Sequence, residues 1–157
     1  MCTAAENGKD VLVMIELRAR FDEANNIEWS KILQNSGVNV IYGPKDYKAH
    51  SKLLLITRRA RGGGFEYVTQ VGIGNYNEKT SALYTDLMLL TADRDIAADA
   101  EDVFTALQNG TFVEDTRKLL VSPLALRPQV LALMDEQIDI ARSGGSGYIA
   151  AKINSLS

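Results

Sequence analysis

Apolar and polar residues in the first third of this chain follow the order strand, helix, strand. The continuous apolar run 11–15 is typical of a central strand that is covered on both faces. Asn25, with Glu28 three residues later, marks a helix start, and Gly37 marks its end. Residues 38–42 then alternate as a second strand. The pattern therefore predicts a β-α-β unit with short loops.

Three further strands are predicted in the middle of the chain. The apolar run 53–56 predicts a short buried strand, and the basic, glycine-rich stretch 58–64 predicts a hairpin connection to a strand over 65–71. The basic stretch could bind a polyanion, but an exposed and solvated hairpin tip is the safer interpretation. Residues 83–90 predict another buried strand.

Helical spacing returns in the last third of the chain. Asp93 can cap a helix that ends at Gly110. Apolar residues recur at helical spacing over 130–138, and the glycine pair 144–145 ends this last helix. The helix beginning near Asn25 carries Trp29, which its spacing predicts to be a core residue.

Length and composition fit one domain with a substantial core. The chain has 157 residues, of which 46% are hydrophobic and 24% charged. Strand-like residues 148–153 follow a glycine-rich linker. We therefore predict one domain over residues 1–145 and the truncated beginning of a following domain over 146–157.

Charge and cysteine content limit the possible partners and compartment. A net charge of −3 and a pI near 5.2 argue against bulk binding of nucleic acid. The single cysteine, Cys2, excludes a disulfide framework within the chain and fits a reducing compartment. The sequence shows neither an apolar run of transmembrane length nor a signal-peptide pattern, so a cytoplasmic location is expected.

The only histidine of the chain, His50, stands just before the apolar run 53–56. Alternation along a strand would point His50 and Lys52 the same way, about 7 Å apart. A neutral imidazole beside a fixed cation suits attack on a phosphate. A lone histidine near a strand is more often a satisfied core or surface residue, so a second feature has to support the functional interpretation.

That second feature is the stretch 72–77. Gly72 and Gly74 permit backbone shapes closed to other residues and allow a ligand to approach the main chain. Asn75 and Asn77 add amide donors. A glycine-rich stretch alone is weak evidence, but together with the upstream histidine and lysine it indicates a pocket for oxyanions.

Two charged residues are candidates to complete this pocket. Asp86 stands in a predicted buried strand, where an acid normally needs a partner, and we expect it to orient the imidazole of His50. The alternative is an acid at a strand edge that meets Lys79 or solvent. Arg20 follows the first strand and could hold a phosphate through its planar fork of donors, or form a surface salt bridge with a neighbouring acid.

The arrangement of these residues resembles a known family. A histidine and a lysine on a strand, followed by the glycine–asparagine motif, are similar to the catalytic half-motif of the phospholipase D superfamily. More specifically, the chain resembles the central catalytic region of the bacterial polyphosphate kinase family that makes long-chain polyphosphate. Four blocks carry the resemblance: ELRARFDE at 16–23, KAHSKL at 48–53, GIGNYNEKT at 72–80 and LYTD at 83–86.

The resemblance implies an α/β fold of the phospholipase D type, with a mixed β-sheet flanked by helices, as one half of a pair of catalytic domains. It implies that His50 is phosphorylated during the reaction, that Arg20 lies among the phosphate and magnesium contacts, and that Tyr84 contacts ATP. An arginine has no lone pair to donate to a metal, so we interpret Arg20 as a hydrogen-bond donor to phosphate oxygens that coordinate Mg²⁺. As a plain strand aromatic, Tyr84 would be a core residue instead.

The implied reaction is ATP + polyphosphate(n) ⇌ ADP + polyphosphate(n+1), through a phosphohistidine. Mg²⁺ with ATP is the implied cofactor. The implied partners are ATP, ADP, polyphosphate and the remaining domains of a homo-oligomeric parent protein. Peripheral association of this parent with the inner membrane is compatible with the resemblance. The residues expected to neutralise charge on the transferred phosphoryl group are Lys52, Arg20, Asn75 and Asn77.

Two positions depart from the pattern. Superfamily phosphodiesterases carry an acid where this chain has Thr57, and many polyphosphate kinases carry a second histidine where it has Gln70. Thr57 therefore favours the kinase over the runner-up, a phosphodiesterase or nuclease that pairs two halves in a homodimer. A third hypothesis is a non-catalytic polyanion-binding module. Because the family's complete site takes residues from outside this stretch, we expect the isolated chain to be inactive.

Overall fold

The computed structural model describes residues 1–18 and 23–153, and the chain packs as two compact units, Met1–Phe112 and Val113–Ser157. The second unit contains the helix α5 (Leu126–Arg142). The predicted domain boundary at 145/146 stays a prediction. The elements of the first unit are α1 (Cys2–Glu6), β1 (Leu12–Ile15), α2 (Glu23–Asn35), β2 (Asn39–Tyr42), β3 (Lys52–Arg59), β4 (Phe65–Gly72), α3 (Glu78–Ser81), β5 (Met88–Thr91) and α4 (Arg94–Asn109).

The predicted β-α-β unit is present. β1 and β2 pair in parallel, and α2 connects them. Gly37, with φ of 84°, follows the end of α2 in the left-handed conformation that glycine adopts without steric cost. Leu33 is the buried apolar residue of the helix, whereas Trp29 is 52% exposed, so its predicted core position is wrong. Helical spacing selects a face but does not say how much of that face is covered.

The second sheet is antiparallel, with the strand order β3-β4-β5. The predicted hairpin is confirmed, because β3 and β4 pair along their whole length, from Lys52 opposite Gly72 to Arg59 opposite Phe65. α4 packs against β3 and β4. Its alanines Ala97 and Ala100 are fully buried, and small side chains allow a helix to approach a sheet closely. One part of the core of the first unit therefore lies between α4 and this sheet, and the buried Leu33 and Val38 belong to the β-α-β unit.

The opposite face of the same sheet is apolar, and its side chains are exposed to solvent in this chain. Pairing places Ile56 beside Val68, and Leu54 and Leu90 on either side of Gln70. All four apolar side chains are exposed, Ile56 by 50% and Leu90 by 68%. The prediction of a buried strand around Leu90 is therefore wrong with respect to burial.

The predicted strand over 83–90 is also too long, since β5 begins only at Met88. The backbone amides of Leu83 and Tyr84 both donate to the carbonyl oxygen of Thr80, which continues the turn of α3. Apolar character alone does not distinguish a strand from a turn whose side chains are exposed. Tyr84 therefore does not lie on a strand, and its 68% exposure excludes the core alternative.

The predicted ends of α4 and α5 are confirmed, whereas α2 already begins at Glu23, two residues before the predicted start at Asn25. Oδ1 of Asp93 accepts hydrogen bonds from the amides of Asp95 and Ile96 at the start of α4. Gly110 ends α4 with φ of 66°. α5 ends at Arg142, shortly before Gly144.

The strand predicted over 148–153 does not form. The amide of Tyr148 donates to Oε1 of Gln137, so the segment begins against α5. A strand requires a partner strand for its backbone groups, and the described part of the second unit offers none. None of the helices within residues 1–18 and 23–153 combines the length and the apolar character that a membrane-spanning helix needs.

Candidate active site

His50 lies in the connection that leads into β3, and Lys52 is the first residue of that strand. Nζ of Lys52, a buried residue, donates to the backbone oxygen of His50 at 2.5 Å. His50 precedes the strand instead of lying on it, and the predicted alignment of its ring with the Lys52 side chain stays a prediction. The hydrogen bond fixes an ammonium group next to the histidine.

The electrostatic surroundings of His50 favour the neutral imidazole. Partial burial lowers the pKa of His50 below its ordinary value of 6.5, and the positive charges of Lys52 and then Lys48 lower it further. An unprotonated ring nitrogen keeps the lone pair that a nucleophile needs. Near neutral pH His50 is therefore in the form that can attack phosphorus.

Lys52 is influenced by charges of both signs. Partial burial lowers its pKa below 10.5 and Lys48 lowers it further, whereas the negative charge of Asp86 raises it. Asp86 therefore acts on the ammonium of Lys52, and it is not among the groups that shift the pKa of His50. The role of Asp86 as orienter of the imidazole stays a prediction.

Gly74 allows Asp86 to take this position. A Cβ atom at Gly74 would lie 2.4 Å from Oδ2 of Asp86 and 2.7 Å from its Cβ and Cγ atoms. These separations are far shorter than van der Waals contact. The second glycine of the motif is therefore required because the side chain of Asp86 packs directly on its backbone.

We predict that Gly74→Ala destabilises the fold by about 1–3 kcal/mol, the usual cost of forcing a methyl group into an occupied space. Gly62→Ala is the matched control, because nothing lies within 4 Å of a Cβ atom at that glycine. Urea unfolding of both variants measures the effect. Equal midpoints for the two would contradict the close contact with Asp86.

Gln70 and Tyr76 were not predicted as site residues. Nε2 of Gln70 donates to Sδ of Met88 at 3.2 Å. Burial raises the pKa of Tyr76, and a side-chain hydrogen bond with Gln70 opposes this shift. Gln70, which stands where many relatives are expected to have a histidine, thus links β5 to the glycine–asparagine stretch. The only sequence signal for Tyr76 was its place inside that stretch.

The two asparagines of the motif have different surroundings. Oδ1 of Asn77 accepts hydrogen bonds from the amides of Lys79 and Thr80, both at 3.1 Å, and so caps α3. Asn75 is exposed. Phosphate binding by Asn75 and by the amide nitrogen of Asn77 stays a prediction, as does the contact of Tyr84 with ATP. Arg20 lies outside the described residues.

Comparisons with known proteins agree with this geometry. The profile of polyphosphate kinase C-terminal domain 1 matches residues 1–112, the same residues that form the first compact unit. The polyphosphate kinase of Exiguobacterium sibiricum is 48% identical over 154 residues, and that of Vibrio vulnificus is 46% identical over 153 residues. Each alignment covers 98% of this chain, but only 21% and 22%, respectively, of the relative.

A solved structure supports the same assignment. The crystal structure of polyphosphate kinase from Porphyromonas gingivalis superposes with a TM-score of 0.74 at 31% sequence identity. It covers 91% of this chain, which in turn covers 24% of that one. The predicted α/β fold of the phospholipase D type is thereby confirmed, with one parallel and one antiparallel sheet in place of the single mixed sheet that was predicted. That it forms one half of a pair stays a prediction. Since the profile match extends over more than two-thirds of its residues, this chain belongs to the polyphosphate kinase family.

Proposed function

We propose that the protein of which this chain forms a part is an ATP:polyphosphate phosphotransferase. It transfers the γ-phosphate of ATP reversibly to the end of a polyphosphate chain, through a phosphohistidine at His50. The observation that supports this most directly is the Lys52 ammonium, which donates to the backbone oxygen of His50 and whose charge lowers the pKa of the imidazole, in a chain of this family. The nucleophile and the charge that would stabilise the transferred group are therefore adjacent.

The proposed reaction has two displacement steps. A ring nitrogen of His50 attacks the γ-phosphorus, the bond from phosphorus to the β–γ bridging oxygen breaks, and ADP leaves with that electron pair. A terminal oxygen of polyphosphate then attacks the phosphohistidine, and the phosphorus–nitrogen bond breaks to restore neutral His50. Lys52 offsets negative charge on the phosphoryl oxygens in both steps. The side chains of Asn75 and Asn77 are proposed to bind phosphate oxygens. Tyr84 is proposed to bind the nucleotide.

The described residues do not form a resident magnesium site. Residues 1–18 and 23–153 contain no group of three or more histidine, cysteine, aspartate or glutamate side chains that could hold a metal ion. Lys48 and Lys52, the charged residues that act on His50, would repel a cation. We therefore propose that Mg²⁺ enters bound to ATP, as part of the substrate.

The remaining proposals concern the parent protein. The chain spans about one-fifth of the length of the curated relatives that it matches. We propose the other segments of a cytoplasmic, homo-oligomeric parent as the partners that complete the site. The isolated chain is accordingly expected to show no turnover.

The function can be tested with the full-length parent and ATP labelled at the γ-phosphate. Label is expected to enter an acid-insoluble polymer, whereas label at the α-phosphate is expected to stay in ADP. Adding ADP and labelled polyphosphate should return labelled ATP. Cleavage of bis(p-nitrophenyl) phosphate without ATP, with no label in polymer, would overturn the proposal in favour of a phosphodiesterase.

A further inference from the structure

Glu16 follows β1 directly, and both of its carboxylate oxygens accept backbone hydrogen bonds. Oε1 accepts from the amide of Arg18 at 2.8 Å. Oε2 accepts from the amide of Ala49, 33 residues away in sequence, at 2.8 Å. The backbone oxygen of Glu16 accepts from Nδ2 of Asn26 at 2.9 Å, which ties the end of β1 to α2. Glu16, a half-buried residue, thus contacts α2 through its backbone and, through its side chain, both the segment after β1 and the connection before β3.

The partners of this carboxylate lie next to the predicted catalytic residues. Ala49 immediately precedes His50, and Arg18 stands two residues before Arg20 in the sequence. A hydrogen bond from a backbone amide to a carboxylate is shorter and roughly twice as strong as one between neutral groups. Glu16 therefore holds the backbone immediately before the proposed nucleophile.

The loop between β2 and β3 is shaped around this contact. A Cβ atom at Gly43 would lie 3.0 Å from Oε2 of Glu16 and 3.6 Å from Cβ of Ala49. The guanidinium of Arg18 also donates to the carbonyl oxygen of Lys45 in the same loop. The segment after β1 therefore holds the loop at two points, and the absence of a side chain at Gly43 leaves room for the carboxylate.

We propose that Glu16 is a positioning residue for phosphoryl transfer, which fixes the backbone at Ala49 and thereby places the imidazole of His50 for in-line attack. In this role Glu16 acts through the backbone, because both of its carboxylate oxygens accept hydrogen bonds from main-chain amides. This inference rests on the proposed function, because it assigns Glu16 a role in placing the same nucleophile. A misplacement of about 1 Å can cost on the order of 100-fold in rate.

Glu16→Gln in the full-length parent tests the proposal. The glutamine keeps the shape of the side chain but has one acceptor oxygen and one NH₂ donor group. It can therefore accept only one of the two backbone hydrogen bonds, because its NH₂ group would face the second backbone N–H. We expect single-turnover formation of the phosphoenzyme to slow by about 10- to 100-fold, with the KM for ATP nearly unchanged. Hydrogen exchange at the amide of Ala49 should become faster. Glu28→Gln, an exposed acid on α2, is the matched control and should change neither measurement.

The outcomes separate the two proposals. If the wild-type parent forms no phosphoenzyme, the proposed function fails, whatever the variants do. If it does, unchanged exchange at Ala49 in Glu16→Gln, or faster exchange with an unchanged rate, overturns the positioning role. If Glu16→Gln fails to fold, Gly43→Ala tests the positioning role instead, because its methyl group would press on Oε2 of Glu16. A slower single turnover at unchanged KM in Gly43→Ala supports the role, and a wild-type rate overturns it.

Discussion

The full-length parent carrying His50→Ala will take up no acid-labile, base-stable label from γ-labelled ATP. Alanine has no nitrogen to form the phosphorus–nitrogen bond, so the covalent route is lost. Polymer synthesis should fall by on the order of 10⁴-fold or more, as it does when other covalent enzymes lose their nucleophile. Phosphoenzyme trapping and the rate of polymer formation together measure the effect.

Ser51→Ala is the matched control for this result. It removes an exposed side chain next to His50 and leaves the imidazole and its charged neighbours in place. We expect this variant to be labelled like the wild type. Acid-labile label that persists in His50→Ala would end the assignment of His50 as the nucleophile.

Lys52→Met should slow formation of the phosphoenzyme by about 10²- to 10³-fold, the usual cost of losing one preorganised group that stabilises transition-state charge. The methionine keeps most of the length of the side chain but removes both the positive charge and the hydrogen bond to the backbone oxygen of His50. Rapid-quench measurement of the first turnover isolates this step. An unaltered rate would exclude Lys52 from the site.

The same variant should also change the pH dependence. In the wild type the rate rises with pH as His50 loses its proton, with a pKa below 6.5, and falls at alkaline pH as Lys52 loses its proton, with a pKa below 10.5. Without the ammonium the protonated imidazole is less disfavoured, so the pKa of His50 rises and the acid limb moves to higher pH. The alkaline limb due to Lys52 disappears.

Lys48→Met provides the comparison for these profiles. Lys48 lowers the pKa of His50 less than Lys52 does, and it also lowers the pKa of Lys52. The acid limb should therefore move upward by a smaller amount, and the alkaline limb should remain and move to higher pH. An acid limb at the same pH in both lysine variants would contradict the electrostatic coupling to His50.

Elements that depend on neighbouring residues were predictable from the sequence. The β-α-β unit, the hairpin and the Asp93 cap all follow from local spacing and turn chemistry, and the structure confirms them. The strand predicted over 83–90 forms only from Met88, and the one predicted over 148–153 does not form, because a strand also needs a partner for its backbone groups. Trp29 is exposed for a related reason, since a pattern of apolar positions does not specify what covers them.

The sequence by itself determined the family motifs, the pairing of His50 with Lys52 and the order of the elements, because these depend on residues close together in the chain. Only the tertiary structure showed that Asp86 packs on Gly74 and acts on Lys52, and that Oδ1 of Asn77 caps α3. It alone showed that the carboxylate of Glu16 reaches the amide before His50. Charge interactions and hydrogen bonds depend on distance through space, and that distance exists only after the chain has folded.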